Sequence, residues 1–143
     1  MTETDLAYLA GFFDGEGCVG VYPNSHRTGH YLLVQLTQND DAVARALLES
    51  VRDRWGGSIR EQRTSTGRVK LGYGVTSDKA AVLLRDLLPY LRGKREQAEV
   101  AATWQEGRVA GPRGPSGRLV PRSDEARQRD AAVAAHVKAL KGV

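Results

Sequence analysis

The chain has 143 residues, 21 Lys and Arg against 17 Asp and Glu, a formal net charge of +4, and one cysteine, Cys18. That length suits one domain with its own core, and a single thiol excludes an intrachain disulfide framework. No apolar run approaches the ~18 residues of a membrane span and the N-terminus lacks the basic start of a signal peptide. The expectation is a soluble, intracellular protein of the cytoplasm, an organelle or a phage-infected cell.

In chain order, Thr4 is the expected cap of a first helix from Asp5 to about Phe13, with Leu6, Leu9 and Phe13 on one stripe. CVGVY (18–22) alternates as a short strand, PNSHRTG is rich in turn formers, and HYLLVQLTQ (30–38) is a longer strand. A second helix is expected from Asp41 to about Trp55, with Val43, Leu47, Leu48 and Val51 at helical spacing. SIREQR and RVKLGYGVT then form a hairpin through Ser65, Thr66 and Gly67. Ser77 and Asp78 open a third helix, and a fourth runs from Lys94 to about Gln105. The order is αββαββα. Residues 107–122 are a basic Gly- and Pro-rich linker, and Ser123 caps a last, loosely attached helix to the end of the chain.

Charge is distributed unevenly. Residues 1–106 hold 13 Lys and Arg against 14 Asp and Glu, whereas residues 107–143 hold 8 against 3. Within the first part, the segment 57–75 carries Arg60, Arg63, Arg68 and Lys70 against Glu61 alone. One positive face is the footprint of a nucleic-acid binder.

Alternation says which side chains share that face. Leu32, Val34 and Leu36 point into the core, leaving Tyr31, Leu33, Gln35 and Thr37 outward; Arg60 and Gln62 cannot share the face of Ile59. Arg pairs with guanine and Gln with adenine in a major groove. An ordinary wet sheet surface fits the same alternation. Arg68 and Lys70 depend on register, because a one-residue slip exchanges them for Val69 and Leu71. His26 and His30 have HxxxH spacing but lie in a turn without acids, which favours phosphate contact over zinc.

The stretch LAGFFDGEG (9–17) sets Asp14 and Glu16 among Gly11, Gly15 and Gly17. Glycine costs a helix interior roughly 0.5–1 kcal/mol relative to alanine, and acids at a helix C-terminus oppose the macrodipole. This stretch closely resembles the LAGLIDADG signature of homing endonucleases, and αββαββα is the order of that family's domain. LPYLRGKREQAEVA (88–101) resembles the segment that carries the active-site lysine in single-motif members. The resemblance spans about residues 5–106 and leaves the tail uncovered.

The resemblance implies an α+β fold, a LAGLIDADG homing-endonuclease domain with a curved four-stranded antiparallel sheet per subunit. It implies a homodimer in which Ala7, Gly11 and Gly15, at i, i+4 and i+8, let two signature helices approach closely. Glu16, the second acid, takes the place of a catalytic ligand for Mg²⁺, with Ca²⁺ supporting binding without cleavage; Asp14 is a structural acid. Gln38 matches a residue that orders the hydrolytic water and Lys94 the lysine at the scissile phosphate, although Gln38 is also placed to cap the next helix and Lys94 to be a surface charge. With alternation, the DNA-reading candidates are Tyr22, Asn24, Gln35, Arg60, Gln62, Arg68 and Lys70. Arg108, Arg113, Arg118 and Arg122 are expected as phosphate contacts from the linker. The implied function is a site-specific double-strand DNA endonuclease acting on a long pseudo-palindrome, encoded in an intron or a free-standing mobile gene. An RNA-binding intron maturase and a cleavage-inactive DNA-binding repressor are the alternatives.

Overall fold

The computed structural model describes residues 1–25, 29–108, 113–118, 120 and 122–141; His26 lies outside them. The first helix, α1 (Glu3–Glu16), begins at a capping box. The Thr2 hydroxyl accepts the Asp5 N–H at 3.1 Å while the Asp5 carboxylate accepts the Thr2 N–H at 2.8 Å. The cap is therefore Thr2 and not Thr4, because only Thr2 has an acid three residues on to satisfy its own backbone in return. At the other end the helix continues through Gly15 to Glu16, three residues past the expected Phe13.

From α1 the chain passes directly into β1 (Gly17–Pro23) and returns in β2 (His30–Asn39). The helix α2 (Ala42–Trp55) is capped by Asp41, whose carboxylate accepts the Ala44 N–H at 2.8 Å, and stops at Gly56, φ 81°. Strands β3 (Ser58–Arg63) and β4 (Val69–Thr76) form the second hairpin. The helix α3 (Ser77–Leu87), a 3₁₀ turn at Leu88–Tyr90, α4 (Arg95–Glu106) and α5 (Asp124–Lys141) follow. The expected order of helices and strands is the observed one.

The four strands make one open antiparallel sheet in the order β1-β2-β4-β3. Its two faces differ as period-two alternation requires. On one side Val19, Val21, Leu32, Val34, Leu36, Leu71, Tyr73 and Val75 are buried, and Leu9, Ala10 and Phe13 of α1 with Leu83, Leu84 and Leu87 of α3 join them in a single core. The other face bears no helix of the first 106 residues. Two polar anchors hold the periphery: Trp55 Nε1 donates to Asp86 at 2.8 Å, joining α2 to α3, and the Tyr73 hydroxyl donates to the Gly56 carbonyl at 2.6 Å. Burial pushes the Tyr73 phenol up to about 12, so it stays a donor at every working pH.

The tail departs from expectation. Helix α5 packs along α4 and the edge strand β1, and Val137 is fully buried in the common core with Val133 and Ala134 against it. Two arginines expected as phosphate contacts are instead engaged within the chain, Arg108 between α4 and β2 and Arg122 on α5. Arg108 stacks 4.6 Å over the Trp104 ring and donates to the His30 carbonyl at 2.6 Å. Arg122 pairs with the buried carboxylate of Asp130, Nε to Oδ2 at 2.9 Å, too oblique there for a hydrogen bond, with a second contact from Nη2 to Oδ1 at 3.2 Å. Trp104 Nε1 donates to the same Oδ1 at 3.1 Å. Of the other linker arginines, Arg113 donates to the Gly117 carbonyl within its own turn.

Packing a helix along β1 shields the backbone groups of the sheet edge, which otherwise invite pairing with another chain. Asp130→Ala deletes the acceptor of Trp104 and strands the Arg122 charge, and breaking a buried pair from one side costs about 3 kcal/mol. The expected outcome in urea titration is a lowered midpoint of unfolding at unchanged slope.

Candidate nucleic-acid interface and cleavage site

The end of α1 is built around Asp14. Its carboxylate accepts two backbone N–H groups from a loop nearly eighty residues away, Arg92 at 2.8 Å and Lys94 at 2.9 Å. In return the Lys94 ammonium donates to the Asp14 carbonyl at 2.6 Å. That carbonyl is one of the last in the helix and has no intrahelical partner, so a cation there also answers the macrodipole. The pair fixes Lys94, the N-cap of α4, against the last turn of α1. Asp14 is thus fully engaged within its own chain, and the carboxylate left exposed at this end is Glu16.

Three glycines in the signature have different reasons to be there. A Cβ on Gly17 would come within 2.4 Å of the Phe13 ring, so the chain can leave the helix and enter β1 only as glycine. A Cβ on Gly11 or Gly15 would meet nothing within 4 Å. Nothing in the fold of one chain explains these two. With Ala7 they form an exposed stripe along α1, beside Tyr8, which is 61% exposed.

Gln38 reaches the same end of the sheet. Gly17 pairs with Leu36, and Gln38 lies two residues beyond Leu36 on the helix side, half-buried, where the chain of β1 rises into α1. The described residues contain no group of three or more His, Cys, Asp or Glu side chains able to hold a metal. At this end of α1 the chain carries two acids, Asp14 bound to backbone amides and Glu16 exposed, and His30, at the start of β2, belongs to no group of three.

On the open face of the sheet the register settles what alternation left ambiguous. Lys70 pairs with Gln62, Gly72 with Arg60 and Gly74 with Ser58, while Thr37 and Gln35 of β2 pair with the same two glycines. Lys70 accordingly faces outward with Arg60, Gln62 and Gln35, and Leu71 is buried. Arg68, one step before β4, is exposed and its backbone closes the hairpin turn with Thr64. Gln35, Thr37, Ser58, Arg60 and Gln62 surround a concavity of about 350 Å³, with Lys70 and Arg68 outside its lining. Glu61, the one acid of the hairpin, points away and pairs with Arg45 of α2 at 3.1 Å. The open face therefore offers cations and amides without a competing carboxylate from β3.

Tyr22 and Asn24 lie apart from that group. The Tyr22 ring folds across Gly20, where a Cβ would come within 2.3 Å of it, and the Lys141 ammonium sits 5.8 Å from its centroid and 3.3 Å from Cys18 Sγ. Desolvation is the main cause that raises the Tyr22 phenol above its ordinary range, followed by Cys18. Asn24 lies in the β1–β2 loop, where its N–H donates to the Gly29 carbonyl. Ser58 and Thr76 also face outward, as the parity of Arg60 and Lys70 requires. Lys141 carried no comparable signal, because only the docking of α5 brings it to β1.

Residues 3–56 match the family model described as a LAGLIDADG-like domain. Among solved structures, the chain is similar to the homing endonuclease I-CvuI in complex with its Sro1.3 target in the presence of 2 mM Ca, with a TM-score of 0.71 and 20% identity over 96% of this chain and 82% of that one. The same enzyme with the I-CreI target in the presence of Mg aligns with a TM-score of 0.70 at 20% identity over the same shares, 96% and 82%. The LAGLIDADG meganuclease I-AabMI bound to uncleaved DNA aligns with a TM-score of 0.52 and 28% identity, over 71% of this chain and 36% of that one. No curated protein matches the chain. The resemblance carried by LAGFFDGEG thus holds in the matched segment, and the four-stranded α+β fold is that of the LAGLIDADG homing endonucleases. Among the described residues no helix is long and apolar enough to cross a membrane.

Asp14→Ala leaves the Arg92 and Lys94 amides without their acceptor, which costs about 2 kcal/mol where they are shielded. Asp14→Asn keeps one acceptor oxygen, so chemical unfolding is expected to place it between wild type and Asp14→Ala.

Proposed function

From a LAGLIDADG-like segment set in the homing-endonuclease fold, we propose that this chain is a site-specific double-strand DNA endonuclease that acts as a homodimer. The observation that carries the proposal is the end of α1. There a free carboxylate, Glu16, and a lysine tied to the same helix, Lys94, lie at the foot of a stripe of glycines that the single chain does not use.

Packing α1 against its copy explains those glycines, because backbones can approach where no Cβ stands between them. The same contact carries two Glu16 carboxylates to the two-fold axis. Their oxygens are hard donors, and one or two carboxylates completed by phosphate oxygens and water suit Mg²⁺, while Ca²⁺ accepts the same donors. Bound there, a divalent cation supplies charge neutralisation at the scissile phosphate and lowers the pKa of water. Glu16 holds the cation site, Gln38 orients the attacking water by its amide, and Lys94 places positive charge beside the phosphate as charge builds on the leaving oxygen. Asp14 has none of these roles; it keeps Lys94 in reach of Glu16.

Each subunit lays the open face of its sheet in the major groove of one half-site. Gln35, Arg60, Gln62 and Lys70 reach base edges, Arg68 extends the same row, and Tyr22 and Asn24 meet the duplex nearer the β1 edge. Two such faces related by a two-fold axis read a long pseudo-palindrome.

The test begins with selection of bound and cleaved duplexes from a random library. Glu16→Gln keeps size and hydrogen bonding, removes the charge, and relieves repulsion across the axis. Binding of the selected duplex in Ca²⁺ is expected to survive, with cleavage in Mg²⁺ reduced by several orders of magnitude. Near-normal cleavage by Glu16→Gln overturns the assignment of the metal ligand. Sequence-specific binding without cleavage by the wild type favours the repressor, and preference for structured RNA the maturase. For the interface, Gly11→Leu places a side chain where the backbones meet, and sedimentation is expected to show monomers in place of dimers.

A further inference from the structure

The open face of the sheet carries one residue that the polar readers do not account for. Among its described outward side chains every one but Leu33 bears a heteroatom, from Tyr31, Gln35 and Thr37 on its own strand to Arg60 and Gln62 across the sheet; Leu33 is the sole aliphatic one. It stands mid-strand, paired with Gly20 on one side and Thr76 on the other, with Gly74 diagonally across.

The neighbours leave Leu33 accessible. Gly74 has no side chain, and a Cβ added there would lie 3.9 Å from Leu33 Cδ1, so the leucine leans over bare backbone. Gly72 is equally bare, with the Gln62 amide 3.3 Å from where its Cβ would stand. The glycines lower the floor of the concavity between Gln35 and Arg60, and Leu33 remains half-exposed in its wall. A lone exposed leucine is ordinary on a protein surface. This one is framed by base-reading amides and a guanidinium, at a point where missing side chains let a base edge approach.

We propose that Leu33 is a specificity-determining residue that receives the C5-methyl group of a thymine in each half-site. It rests on the DNA-binding reading above. Of the four base edges in the major groove only that of thymine ends in a methyl, and an apolar contact is the means of reading it. Amides and guanidinium around Leu33 cannot hydrogen-bond a methyl, whereas its Cδ atoms exclude water from it.

The experiment removes the methyl and nothing else. On the selected duplex each thymine is replaced singly by deoxyuridine on either strand, and affinity is measured in Ca²⁺. For the wild type one position per half-site is expected to lose about four-fold, the worth of roughly one buried methyl-sized group. Leu33→Ala binds the thymine and uracil duplexes alike at that position and keeps its discrimination elsewhere. Leu33→Gln moves the preference at that one position toward adenine, and its folding is checked by circular dichroism. Absence of any methyl-sensitive thymine, or a methyl effect that persists in Leu33→Ala, overturns the inference while leaving the nuclease reading intact. Failure of the wild type to bind any selected duplex overturns both.

Discussion

The carboxylate of Asp14 holds together the part of the molecule on which the rest of the site depends. It accepts the Arg92 and Lys94 amides, and the Lys94 ammonium closes the loop onto the Asp14 carbonyl. A helix end and a loop distant in sequence thereby become one rigid corner. Phe13, packed beneath the bare Gly17, fixes the same corner from the inside. Glu16, the last residue of α1, follows directly on this corner and is exposed. Preorganisation of this kind sets backbone and side chains in place before any ligand arrives.

The sheet follows from a simpler rule. Side chains alternate, helices cover one face, and the other face is left open. The pattern is made specific by what is missing, since Gly20, Gly72 and Gly74 all lie on the open face. Gly20 is already covered by the Tyr22 ring, whereas Gly72 and Gly74 lie bare in the floor of the concavity, and a glycine in a strand marks a place that something can approach closely. Polar side chains on β3 and β2 stand at the rim of the resulting concavity, and Glu61 is turned away into an ion pair with Arg45.

The tail changes the electrostatic picture read from composition. Its positive charge was expected to be free for phosphate, yet Arg108 is half-buried against Trp104 and Arg122 is committed to Asp130. Desolvation lowers the pKa of the Arg108 guanidinium, a sign of a cation taken out of water for structural ends. The helix that the Arg122–Asp130 pair anchors covers the β1 edge and carries Lys141 to the margin of the open face. Positive potential near the sheet is therefore supplied by a docked helix and by the hairpin residues Arg60 and Lys70.

The sequence by itself determined the element order, the signature helix and the two-faced sheet, because each rests on local periodicity and on a motif nine residues long. Leu32, Val34 and Leu36 announce their face whatever the rest of the chain does. It did not determine the cap at Thr2, where two threonines competed and reciprocal bonding with Asp5 chose between them. Nor could it determine the partners of Asp14, the outward register of Lys70, or the docking of α5. Each of these is a contact across long sequence separation, and spacing along a chain carries no information about which distant backbone amide or strand will lie opposite. Only the folded core, by fixing α1 against α3, β4 against β2 and Val137 into the common interior, decided them.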